Sequence, residues 1–96
     1  MVIERVEILI KPGQEEAFEA ALGRARALLV GATGCRAVTA GRGVEAPSKF
    51  LLLLEWESVD HHIAFTKTPE FKQFGELVGP TFAGRPAMEH FSPLPG

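Results

Sequence analysis

Three histidines, a single cysteine and a single tryptophan are the side chains of this 96-residue sequence with the most chemistry to offer. Imidazole titrates near neutral pH and is suited to moving protons. His61 and His62 are adjacent, so on a helix they point about 100° apart and share no ligating face. His90 falls on what reads as a separate, distant strand. A metal site built from His62, His90 and a carboxylate such as Glu55 is the competing reading. Solvated histidines are the favoured one, and no metal is expected. Cys35 follows Gly34 and has Arg36 as its only neighbouring cation and no histidine partner, so it reads as a small apolar residue rather than a nucleophile. One cysteine also rules out an intrachain disulfide and a thiol zinc site. Gly31-x-x-Gly34 and Gly41-x-Gly43 lack the Lys-Ser/Thr and the strand–turn–helix setting of a phosphate loop, and read as turns. The chain has no tyrosine and no asparagine, so no mechanism here uses a phenol side chain or an asparagine carboxamide.

Net charge narrows the partners. Ten Lys and Arg against twelve Asp and Glu leave a formal charge of −2. The basic residues are scattered from Arg5 to Arg85 without a patch or stripe, which argues against nucleic acid and against an anionic membrane surface. No apolar run approaches the roughly 20 residues of a membrane span. Met1 leads into Val2-Ile3-Glu4-Arg5 without the basic start and apolar stretch of a signal peptide, so the expected location is the cytoplasm.

The elements that must position these side chains follow from hydrophobic spacing. Residues 2–11 alternate as a strand, with Val2, Glu4, Val6, Ile8 and Ile10 on one face and Ile3, Arg5, Glu7, Leu9 and Lys11 on the other. Pro12-Gly13 ends it. Phe18, Ala21, Leu22, Ala25, Leu28 and Leu29 recur at steps of three and four, predicting an amphipathic helix over about residues 14–30. A weaker strand spans 35–42. The strongest spans Lys49–Glu57, with Phe50, Leu52, Leu54 and Trp56 opposing Leu51 and Leu53. Ser58 and Asp60 are candidate N-caps for a helix bearing Ile63, Ala64 and Phe65, and Thr68-Pro69 starts a further helical piece with Phe71, Phe74, Leu77 and Val78 as its core stripe. Residues 87–91 read as a last strand and 92–96 as a loose tail. The order β-α-β-β-α-β predicts a single α+β domain over 1–96. It is ferredoxin-like, with one antiparallel sheet and its helices on one face.

Two strands in this reading are apolar on both sides. Helices on one face leave Ile3, Leu9, Leu51 and Leu53 uncovered, and burying each is worth roughly 1.5–3 kcal/mol. The tail Ser92–Gly96 offers too little apolar area to cover them. A second copy, packed sheet against sheet, is the expected partner.

The strand-end Trp56-Glu57-Ser58, followed by His62, Phe65, Thr68, Phe71 and Phe74, resembles the antibiotic biosynthesis monooxygenase domain family, and Lys11-Pro12-Gly13 with Phe18 matches that family's first strand-to-helix turn. The resemblance covers nearly the whole chain. It implies a dimeric α+β barrel and the oxygenation of a small aromatic or quinol by O2 with neither metal nor flavin. In that chemistry the protein holds an electron-rich phenolate deprotonated, dry and oriented. On that basis Trp56 and His62 are the candidate catalytic residues, His62 as base. Trp56, Phe65, Phe74 and Phe82 would wall an apolar chamber, and Arg85 would pair with the substrate anion.

Taken residue by residue without the resemblance, Trp56, Phe71 and Phe74 read as core, His62 as a solvated or capping residue at a helix start, and Arg85 as a surface loop residue. The quinone-forming relatives use asparagine and tyrosine beside the tryptophan, of which only the Trp56 position carries over. Haem degradation is not expected, because Arg5 stands where those relatives have asparagine and Phe71–Gly75 contains no histidine ligand. Two readings without catalysis stand beside the oxygenase: a dimeric module binding a small hydrophobic molecule, and a stress-linked or structural dimer.

Overall fold

A computed structural model describes residues 1–96. The alternating segments form β1 (Val2–Leu9), β2 (Cys35–Arg42), β3 (Lys49–Trp56) and β4 (Ala87–Phe91); the helices are α1 (Glu15–Val30), α2 (Val59–Phe65) and α3 (Pro69–Val78). The strands make one sheet in the order β2-β3-β1-β4, antiparallel throughout, which is the ferredoxin-like arrangement.

The second helical unit is broken in two for a local reason. Thr68 is extended (φ −98°, ψ 157°), its hydroxyl donates to the Phe65 carbonyl at 2.7 Å and accepts from the Phe71 amide at 3.3 Å. Pro69 then opens α3 where a missing N–H costs nothing. Ser58, not Asp60, caps α2, its hydroxyl accepting from the His61 amide.

Phe18, Ala21, Ala25 and Leu29 of α1 pack on the even-numbered residues of β1 and β3, and the Phe18 and Phe50 ring centroids are 4.6 Å apart. The α1–β2 turn needs glycine at 34: φ is +84°, and a Cβ there would collide with the His61 ring.

The outer face of the sheet carries both the apolar and the charged residues that the alternation of β1 and β3 puts there. Ile3, Leu51 and Leu53 are half-buried and Leu9 and Phe91 about half exposed, but a charged cluster crosses between them. Arg5 lies 3.3 Å from Glu7 and 3.7 Å from Glu89, and Lys49 lies 3.7 Å from Glu7. The register explains the cluster, because it sets Arg5 opposite Glu89 and leaves Glu7 one pleat away on the same face. Residues 92–96 are exposed and belong to no regular element.

Candidate functional site

Between the helix-facing side of the sheet and α2–α3 lies a cavity of about 330 Å³. Its walls include Trp56, Phe65, Phe71, Phe74, Val78 and Phe82; Glu4 and His62 supply the ionisable side chains at its surface. Each arrives by a simple geometric route. Trp56 ends β3 on the inward face and is fully buried. Glu4 lies on the inward face of β1, between Leu54 on one neighbouring strand and His90 on the other. His62 projects from α2 toward the sheet, whereas His61, one residue earlier, turns outward to Ser58 at 2.7 Å.

The Glu4 carboxylate is the hub. Trp56 Nε1–H donates to its Oε1 at 2.9 Å, and His62 Nε2 lies 3.3 Å from its Oε2. His62 Nδ1 is 2.8 Å from His90 Nε2, and the indole stacks on the His62 ring at a centroid distance of 5.2 Å and a tilt of 27°. Glu4 and His62 are each only 6% exposed, so a carboxylate and an imidazole have left water together. Their mutual contact and the indole N–H are what make that tolerable, and no buried side-chain polar atom lacks a partner.

Burial pushes the His62 imidazole below its ordinary value of 6.5; Glu4 opposes that shift and His90 adds to it. The unfolded chain therefore takes up a proton below pH 6.5 that the folded chain resists. The His62 contribution to stability is complete above that point and declines as the pH falls toward the lower folded value. Thermal melts from about pH 8 to about pH 5.5 are expected to show a falling Tm that His62→Gln makes shallower. Equal slopes in the two proteins would exclude His62 as the source.

These positions correct several expectations. His62 is buried rather than solvated or capping, because Ser58 caps α2 and His61 takes the outward position. His90 is not distant, since pairing of β4 with β1 sets it opposite Glu4. Glu55 lies on the other face of β3 from Trp56, so it cannot join the histidines. Glu4, His62 and His90 run in line, with His62 turning a different nitrogen to each neighbour, and no three such donors are placed to hold a metal ion. Phe65, Phe74 and Phe82 do line the cavity, with Phe65 buried and the other two half-buried. Phe71, expected in the core, is 38% exposed at the rim, its ring edge-on to Phe65. Arg85 is exposed and does not line the cavity, although its neighbour Pro86 does. Cys35 is half-buried, and burial raises its thiol, the opposite of an activated nucleophile.

Glu4 was missed as a site residue. Its signal was present: a lone charge on the strand face otherwise made of Val2, Val6, Ile8 and Ile10 must be buried with partners.

Fold and site together define an α+β ferredoxin-like domain with an apolar chamber behind the sheet, closed at one end by a carboxylate–imidazole pair. The chain belongs to the antibiotic biosynthesis monooxygenase family, whose model matches residues 1–77. It is similar to the uncharacterized protein YczJ of Bacillus subtilis (strain 168), 33% identical over 92 residues that make up 95% of this chain and 97% of that protein. A crystal structure from Bordetella bronchiseptica with the same family assignment is 37% identical and superposes with a TM-score of 0.93 over 97% of this chain and 96% of that one. A Caulobacter crescentus CB15 structure, at 22% identity, TM-score 0.86 and coverage of 98% and 90%, shares the fold. No helix is long and apolar enough to cross a membrane.

Proposed function

We propose that the protein oxygenates a small, neutral, hydroxylated aromatic with O2, without a metal or organic cofactor. The observation that carries this reading is the Trp56–Glu4–His62 cluster at the end of an aromatic chamber. The cavity is at the small end of the roughly 300–1,000 Å³ range of ligand sites, and its apolar walls suit a flat ring. A buried carboxylate at its polar end disfavours a second anion and favours an O–H donor. The substrate therefore enters as the neutral phenol, and the Arg85–anion pair is not needed.

His62, with its proton affinity lowered by burial, accepts the hydroxyl proton; the imidazolium so formed offsets the new phenolate beside Glu4. The chamber keeps water away while the electron-rich ring reacts with O2. For a phenol with one oxidisable ring C–H, the ring loses the O–H and C–H hydrogens and gains one oxygen atom as a quinone. The other oxygen atom leaves with both hydrogens as water.

The test is oxygen-electrode measurement with a panel of hydroquinones and dihydroxynaphthalenes. Uptake above the blank, with one oxygen atom from 18O2 in the quinone product, is the expected result. Tight binding without uptake would overturn it in favour of a non-catalytic binding module, the second reading, which the lack of tyrosine and asparagine favours. We further infer that two copies pack through the outer sheet face, where Leu9 and Phe91 remain about half exposed.

A further inference from the structure

Glu4 and His62 line the chamber; His90, bonded to His62, does not. His90 is half-buried on β4, the edge strand of the sheet. The three side chains form an unbroken line from the chamber to the protein surface, Glu4 Oε2 to His62 Nε2 at 3.3 Å and His62 Nδ1 to His90 Nε2 at 2.8 Å. We propose that His90 is the outer end of a proton relay that connects the chamber with solvent through His62. Its use in turnover rests on the proposed acid–base role of His62.

The histidine–histidine contact needs one donor and one acceptor, and two neutral arrangements satisfy it. In the first, His62 carries its hydrogen on Nδ1 and donates to His90 Nε2, leaving the His62 Nε2 lone pair beside the Glu4 carboxylate, an arrangement stabilised when a substrate O–H donates to that nitrogen. In the second, His90 Nε2–H donates to His62 Nδ1, and His62 Nε2–H faces the Glu4 carboxylate. A proton taken from a substrate hydroxyl first gives the His62 imidazolium and then, once passed on, turns the first arrangement into the second. The O–H bond breaks and an N–H bond forms at His62 Nε2; the Nδ1 proton passes to His90 Nε2; His90 releases its Nδ1 proton to water. The chain is then set to carry a proton inward, which restores the first arrangement. Oxygenation needs both directions, since the hydroxyl proton leaves first and water is formed later.

No titratable side chain other than Glu4 and His62 lines the chamber. Glu4 from β1 and His90 from β4 are the charged or titratable groups against His62; the Cys35 thiol on β2 feels Glu4 and is raised by burial; β3 contributes the neutral Trp56 and α3 only Phe71, Phe74, Gly75 and Val78. His90 acts through His62, so it is a positioning and relay residue rather than a catalytic one.

The test is His90→Gln, whose amide can still donate to His62 Nδ1 but cannot pass a proton on. Because the chain has three histidines, imidazole C–H resonances followed by NMR through a pH titration report each one separately. In His90→Gln, His62 is expected to titrate higher than in the parent protein, because the neighbouring imidazole that helps to lower it is gone. With a consumed substrate, His90→Gln is expected to slow turnover about tenfold or more, with free imidazole restoring the rate. A His62 titration identical in both proteins, or a rate loss that imidazole leaves untouched, would overturn the relay. If no aromatic is consumed by the parent protein, the oxygenase reading fails and the NMR titration alone decides on the relay.

Discussion

His62→Ala is expected to lower the rate of oxygen uptake by about 10²–10⁴-fold, the usual contribution of a positioned acid–base group. The substitution removes the only imidazole at the chamber surface and leaves the Glu4 carboxylate with the indole N–H as its one strong donor. Trp56→Phe is the informative companion. It keeps an aromatic wall but deletes the hydrogen bond to Glu4, so a loss of about tenfold is expected, one charge-assisted hydrogen bond rather than the proton acceptor itself. The measurement is initial oxygen consumption at saturating substrate, with circular dichroism to show that each variant is folded. A His62→Ala rate within twofold of the parent would remove His62 from the mechanism.

The second large effect concerns assembly. The parent protein is expected to sediment at twice the 10.4 kDa chain mass, and Leu53→Glu at the chain mass itself. Leu53 sits on the outer sheet face opposite Arg5. A glutamate there gains a cross-strand cation within its own protomer, so folding is preserved. Pressed between two sheets, the same carboxylate would have to lose its water, a penalty of several kcal/mol per ion that weakens association by about a hundredfold or more. Sedimentation at micromolar concentration, with thermal melts as the folding control, reads both. A folded, lone parent protomer would contradict the pairing. The Arg5–Glu7–Glu89–Lys49 cluster gives that interface a polar band among its apolar contacts, so its affinity is expected to be more sensitive to salt than a purely apolar contact would be.

The scaffold was largely legible in the sequence. Phe50, Leu52, Leu54 and Trp56 alternate with Leu51 and Leu53 in a short run bounded by turn residues, which marks a strand apolar on both faces, and Thr68-Pro69 states a helix start in two residues. The walls of the chamber, Trp56, Phe65, Phe74 and Phe82, came from the family resemblance; by spacing alone Trp56 and Phe74 read as core, and Phe82 lies in a loop with no period to place it. The polar end was harder to see. His61 and His62 differ by one step of helix rotation, and which of them faces the core depends on where Ser58 starts the helix. Glu4 looked like one of three charges in Glu4-Arg5-x-Glu7, and only its face distinguishes it. His90 needed the β1–β4 register, which no local pattern encodes. Arg85 failed for the converse reason. A loop side chain has no periodicity to fix its direction, and here it is exposed and does not line the chamber.

The placement of β1 between β3 and β4 has a consequence for how the protein comes into being. Of the four strands β1, one of the two inner ones, is synthesised first, and both its neighbours follow, β4 last. Glu4 thus emerges well ahead of His90, which the register sets opposite it, and β1 stays unpaired until β3 is made. The exposed Val-Ile-Leu segment of the nascent chain is the part most in need of a chaperone meanwhile.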